Sequence, residues 1–380
     1  MTKKIIVLLF FLAIPNLFSQ VTFIVENLQD NNTKNTSIYI SGDFEGWTGG
    51  QEKYKLSQNN NHYSITLPKQ EGSINFKFTQ GSWETVETGI QDNRKYTFGN
   101  KTETVKIKIS NWEDNTLKES TATKNVSILS EDFYIPQLDK KRRIWVYLPP
   151  NYDTSNKSYP VMYMHDGQNL FDNNTSYAGE WEVDETLNKL YQDKRFELIV
   201  IGIDNAGEKR MDEYSPWKHK EYGGGEGDAY IDFVVKTLKP YVDNNYRTKS
   251  NQENTAIMGS SMGGLISFYA TLQYPKVFGK SVVYSPSFWF SDQSFDLAKN
   301  HRNLKNTKMY LLAGGKEGAN NIAFNEISQT VMDMNKMVAI LKEGGFSSDN
   351  IRTKVVPDGQ HNEALWRDNF EEAILWLFSE

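Results

Sequence analysis

A chain of 380 residues, 38% hydrophobic and 13% aromatic, can bury more than one core and reads as two domains, not as a disordered polymer. A formal charge of −6 without a basic stripe argues against nucleic acid and anionic membranes as partners. The lack of cysteine excludes disulfides, thiolate metal sites, a cysteine nucleophile and a lipid-anchored N-terminal cysteine.

Lys3 and Lys4 precede an apolar run from Ile5 to Ile14, Pro15 breaks it, and Ser19 offers a small residue before Gln20. The run is about half of what a membrane-spanning helix needs, so residues 1–19 read as a signal peptide and the chain as secreted or periplasmic. Residues 20–113 show short alternating segments at Val21–Val25, Ser37–Ile40, His62–Leu67, Ile74–Phe78 and Thr104–Ile109. Asn, Asp and Gly clusters separate them, the pattern of a small β-sandwich. Residues 114–125 are polar and without apolar period, and read as the linker.

Over residues 126–380 the rhythm changes. Apolar strands are expected at Arg143–Leu148, Val161–Met164, Leu198–Ile203, Thr255–Met258, Lys280–Tyr284, Met309–Ala313 and Thr353–Val356. Helical stretches lie between them, and Tyr230–Val242 carries its apolar residues on one side. Strands alternating with helices predict a mostly parallel α/β sheet covered on both faces.

The sharpest motif is Gly259-Ser260-Ser261-Met262-Gly263-Gly264, between a buried strand and the helix-like Leu265–Leu272. Glycines at its flanks allow the tight turn that lifts a nucleophilic serine, Ser261, above the sheet. The helix behind it aims N–H groups at developing negative charge. Serine needs a base. His62 lies in the β domain, His301 in a polar connection, His219 in a loop, and His165 ends a strand where a structural role fits. His361, after the last strand and before the final helix Ala364–Phe378, keeps the order serine, acid, histidine. Glu317 is the first carboxylate after Met309–Ala313 and would orient the imidazole; Asp292, Asp296 and Asp358 stand in reserve. The oxyanion donors are expected from the N–H of Met262 and, next to Gly167, of Gln168.

Met164-His165-Asp166-Gly167-Gln168-Asn169-Leu170-Phe171-Asp172 resembles one branch of the α/β-hydrolases. Gly202-Ile203-Asp204-Asn205, Arg210-Met211-Asp212-Glu213-Tyr214-Ser215-Pro216-Trp217 and Tyr284-Ser285-Pro286-Ser287-Phe288-Trp289 add to the likeness. That branch holds esterase D, the feruloyl and acetylxylan esterases of carbohydrate esterase family one, and enterobactin-type siderophore esterases. The resemblance implies an α/β-hydrolase fold and ester hydrolysis through an acyl-enzyme, without metal or organic cofactor. It leaves the substrate open, since related mycolyl transferases pass the acyl group to a sugar. Among the aromatics expected near the pocket (Phe171, Trp181, Trp217, Phe288, Trp289, Trp366), Trp289 and Trp217 are the candidates for substrate contact. Arg210 joins them, with an internal ion pair as an equal alternative.

The front domain resembles a starch-binding, immunoglobulin-like module in Val21-Thr22-Phe23, Ser41-Gly42-Asp43-Phe44-Glu45-Gly46-Trp47, Phe76-Lys77-Phe78, Asn93-Arg94 and Trp112-Glu113-Asp114. The resemblance implies glycan contact by Trp47. The second tryptophan of that family falls where this chain has Thr88, and Trp83 stands displaced along the loop. A spacer role is the competing reading. The whole points to an exported serine ester hydrolase acting on a small-molecule or polysaccharide ester, an acetyl or feruloyl group on a carbohydrate before a siderophore ester. A glycan-binding protein with an idle hydrolase domain is the non-enzyme alternative.

Overall fold

The computed structural model describes residues 20–26, 37–59, 62–70, 72–90, 92–113, 120–177, 179–301, 304, 306–318 and 328–379. The expected signal peptide and the first half of the expected linker lie outside them. Two compact units divide the chain, one built from most of the residues up to Trp112 and the other holding Glu113 onward.

In the first unit β1 (Gln20–Glu26), β2 (Tyr39–Gly42), β3 (Ser57–Asn59), β4 (His62–Pro68) and β5 (Ser73–Thr79) follow one another. After them come β6 (Glu87–Thr88), β7 (Arg94–Thr97), β8 (Glu103–Ile107) and β9 (Asn111–Trp112). One sheet runs β3-β4-β1-β8 and another β2-β5-β7, with β6 and β9 pairing apart. The alternation in the sequence does the work here. Val21, Phe23 and Val25 point one way from β1, Ile74, Phe76 and Phe78 one way from β5, and both sets enter one core.

The second unit begins with β10 (Val126–Ile135), β11 (Lys140–Tyr147), β12 (Val161–His165), α1 (Val183–Gln192), β13 (Ile199–Ile203) and α2 (Arg210–Glu213). A short hairpin, β14 (Lys218–His219) and β15 (Gly223–Gly224), leads to α3 (Gly227–Phe233) and α4 (Lys239–Asn245). Then come β16 (Thr255–Ser260), α5 (Met262–Gln273), β17 (Lys280–Tyr284), α6 (Gln293–Asn300) and β18 (Lys308–Gly314). The chain closes with α7 (Gln329–Glu343), β19 (Ile351–Val356), α8 (Glu363–Asp368) and α9 (Phe370–Phe378). One eight-stranded sheet runs β10-β11-β13-β12-β16-β17-β18-β19. β10 and β11 pair antiparallel and the strands from β13 to β19 are mutually parallel. Its central strands are buried along their whole length, as a sheet covered on both faces requires. This is an α/β-hydrolase fold behind small β sheets.

Three differences from the sequence reading have local causes. β10 was not expected, because two register irregularities and an exposed edge leave it no clean alternation. The helix expected over Tyr230–Val242 continues from α3 to α4 through a π-helical turn at Val234–Leu238, just before Pro240, which offers no N–H. The single final helix is two, broken at Asn369, whose side chain donates to the carbonyl of Leu365.

Candidate active site

Ser261 follows β16 directly and sits at φ 58°, ψ −121°, outside the ordinary regions for a side-chain-bearing residue. The turn closes because Gly259 and Gly263 press together: a Cβ on Gly259 would stand 2.6 Å from the Gly263 backbone. The Ser261 N–H donates to the Tyr284 carbonyl, extending the sheet by one rung. Its hydroxyl shares a 3.3 Å hydrogen bond with Ser287 and, among the described residues, makes none with His361.

Glu317 and His361 come together at the ends of β18 and β19. A Cβ on Gly314 would lie 2.3 Å from the Gly359 carbonyl, so only a glycine lets the two loops close. Lys316 N then donates to Gly359 O, and His361 Nδ1 stands 3.0 Å from Glu317 Oε2. The other carboxylate oxygen accepts from Gly314 N at 2.6 Å and Ser285 Oγ at 2.5 Å. Ser285 in turn accepts from Trp366 Nε1 at 2.9 Å. Burial pushes the Glu317 carboxyl up, but His361, Ser285 and Gly314 outweigh it and hold it below its ordinary value. The reserve carboxylates are placed otherwise. Asp296 pairs with Lys299 and Asp358 with Lys316 on the surface, and Asp292 precedes α6.

Gln168 lies in a buried 3₁₀ turn after β12, opened by Asp166 in the left-handed region. Its side-chain oxygen accepts from Asn205 N, and neither its own N–H nor that of Met262 donates within the described residues. Arg210 holds this turn. Its guanidinium grips both oxygens of Asp166 at 2.7 and 2.9 Å and reaches the carbonyl of Ser260 at 3.4 Å. Burial raises the Asp166 carboxyl, and Arg210 overrides it downward. Arg210 is therefore the internal ion pair, not a free substrate contact. It ties the Gln168 turn to the Ser261 turn.

The aromatics separate by burial. Phe171, Trp181, Phe288 and Trp366 belong to the cores, Trp366 standing edge-on to His361 at 5.2 Å. Trp217 is half-buried against Tyr269. Trp289 is 51% exposed, beside His219 and Tyr222. Trp83 is buried, donating its indole N–H to the Trp47 carbonyl and packing on the Trp47 ring, which withdraws it as a glycan platform; the loops of both tryptophans, Glu45–Thr48 and Ser82–Thr85, group with the second unit. Trp47 stays half-buried. His165 is also buried. It bonds Tyr230, and burial lowers it to about 3, a neutral structural ring.

Sequence reasoning missed Ser285, Ser287, Asp166 and Glu363. Glu363 is a buried carboxyl two residues past His361, pushed by burial up to about 7. Only the resemblance strings around Asp166 and Ser285 hinted at the first three. A hydroxyl on a strained turn, an imidazole backed by a buried carboxylate and free N–H groups at a helix start can together carry acyl transfer.

A family model described as "Putative esterase" matches residues 135–377. An uncharacterized protein, YbbA, of Bacillus subtilis is 29% identical over 247 residues, 63% of this chain and 93% of its own. An endo-1,4-beta-xylanase/feruloyl esterase of Xylanibacter ruminicola is 25% identical over 255 residues, 65% of this chain and 30% of its own. An enterochelin esterase of Shigella flexneri has a structure covering 95% of this chain and 92% of its own, with TM-score 0.55 and 15% identity.

Proposed function

The chain belongs to this esterase family of α/β-hydrolases, and from that premise we propose that it is an exported serine carboxylic-ester hydrolase working through an acyl-enzyme. Ser261 Oγ attacks the ester carbonyl while His361 takes its proton and returns it to the leaving alcohol. Glu317 holds Nδ1 of the ring, leaving the other nitrogen to act as base. The N–H groups of Met262 and Gln168 receive the oxyanion. Water, activated by the same imidazole, releases the acid. The observation that carries this reading is the buried Glu317 carboxylate 3.0 Å from His361 Nδ1, at the same end of the sheet as the strained Ser261 turn. Catalytic hydrogen bonds commonly close only around substrate, so the Ser261–His361 bond forms at that step.

The substrate is an acyl ester of a carbohydrate, acetyl or feruloyl. The feruloyl esterase likeness, the exposed Trp289 and the half-buried Trp47 support this. A siderophore ester is the second reading, favoured at the level of architecture by a Shigella enterochelin esterase matching almost the full chain. Comparing kcat/KM for methyl ferulate, acetylated xylan, a short aryl acetate and a ferric-siderophore ester decides between them. Ser261→Ala must lose all four activities, about a million-fold in related triads. Substantial turnover by the folded variant refutes the mechanism. Trp47→Ala should weaken retention on insoluble α-glucan or xylan, and wild-type protein that is not retained refutes the glycan contact.

A further inference from the structure

At the start of α1, beyond the same C-terminal strand ends that carry Ser261, three carboxylates gather without a neutralising partner among the described residues. Glu180, Asp184 and Glu185 place one oxygen each within 4.8 Å of one another. Asp184 is 0% exposed and Glu180 7%. One oxygen of each is in use: Thr121 Oγ1 donates to Glu180 Oε2 at 2.7 Å, and Thr123 N donates to Asp184 Oδ2 at 2.8 Å. The remaining oxygens, Glu180 Oε1 and Asp184 Oδ1, together with Glu185 Oε2, are sealed from solvent and accept no hydrogen bond. A sealed carboxylate oxygen without a donor is costly, and three carboxylates gathered this closely repel. The positive end of α1 eases this repulsion but gives the three oxygens no donor.

We propose that Glu180, Asp184 and Glu185 bind a hard divalent cation, calcium in preference to magnesium. The donor set is oxygen only, the choice of hard cations. Oxygens on opposite sides of a calcium ion stand about 4.8 Å apart, so the three atoms fit one coordination shell without moving the backbone. Magnesium gives up its waters reluctantly, and a pocket offering three dry carboxylates selects against it. Because Glu180 and Asp184 also hold Thr121 and Thr123, the ion pins the segment 120–124 to α1. Its role is stability, not chemistry.

The test uses the whole protein stripped with chelator and desalted. Titration calorimetry with calcium chloride at pH 7.5 should show one ion bound, with Kd at or below about 1 mM, the weak end of extracellular calcium modules. Magnesium chloride should bind at least about tenfold more weakly, and calcium should raise the Tm. Asp184→Asn should weaken calcium binding at least about tenfold while hydrolysis of a short aryl ester is unchanged. Glu185→Gln, at a less buried position, repeats the test should Asp184→Asn fail to fold. No heat and no Tm shift with calcium at millimolar concentration, or variants that bind as the wild type does, would overturn the proposal.

Discussion

Replacing Glu317 by glutamine isolates the role of one oxygen. The carboxylate accepts at Oε1 from Gly314 N and Ser285 Oγ, and at Oε2 from His361 Nδ1. Both Oε1 partners are donors, so the glutamine oxygen must stay with them and its NH₂ must face the imidazole. An NH₂ only donates. The ring then accepts at Nδ1 and carries its proton on the other nitrogen, where it cannot take one from Ser261. An inverted tautomer of this kind costs about 10⁴-fold in kcat, or about 5 kcal/mol of barrier. Stability should fall far less, by about 1–2 kcal/mol, since every buried group keeps a partner. The assay is kcat on a short aryl ester at neutral pH, beside a thermal melt. The stability difference has a definite pH window. Glu317 is held below its ordinary value, so its contribution is present above about pH 4.5 and disappears as pH falls through the lowered value. A folded Glu317→Gln enzyme within about tenfold of the wild-type rate would refute the assignment and return the role to Asp292, Asp296 or Asp358.

Arg210→Met should leave the Asp166 carboxylate buried without its partner and destabilise the protein by about 3–5 kcal/mol in denaturant melts. Asp166→Asn in the same chain should recover part of the loss, and full additivity of the two would argue against the strut. Gly314→Ala drives a Cβ into the Gly359 carbonyl, so stability should fall by about 1–3 kcal/mol and kcat with it as the acid and histidine loops part. Unchanged kcat and Tm would show that the loops have slack. Glu363 is raised to about 7 by burial, so its contribution is full below about pH 4.5, falls as pH rises toward 7 and is level above. Glu363→Gln should therefore gain on the wild type by on the order of 3 kcal/mol between pH 4.5 and 8. Parallel stability curves over that range would refute the buried-acid account.

The fold was legible wherever burial imposes a period. Central strands closed on both faces must be continuous runs of apolar residues, as Val161–Met164 and Leu198–Ile203 are, and the front-domain strands must alternate. β10 escaped because an exposed, bulged edge obeys neither rule. Trp83 and Trp47 look alike in sequence, and only packing distinguishes a buried indole from one that keeps a face toward solvent.

The same division runs through the site. By itself the sequence determined where chemistry could stand: a serine between two glycines after a strand, a carboxylate after a later strand, and a histidine before the last helix. Those are local facts, because a tight turn needs small residues next to it and a strand end must be apolar before it. Tertiary structure alone decided which groups meet. Ser285 and Trp366 back Glu317 although 81 residues separate them, and Arg210 spends its charge on Asp166 instead of a substrate. The three carboxylates at the head of α1 gain their significance only from being sealed together without donors. Local sterics are written in neighbouring residues, while the pairing of buried polar groups depends on elements far apart in the chain arriving at one end of one sheet.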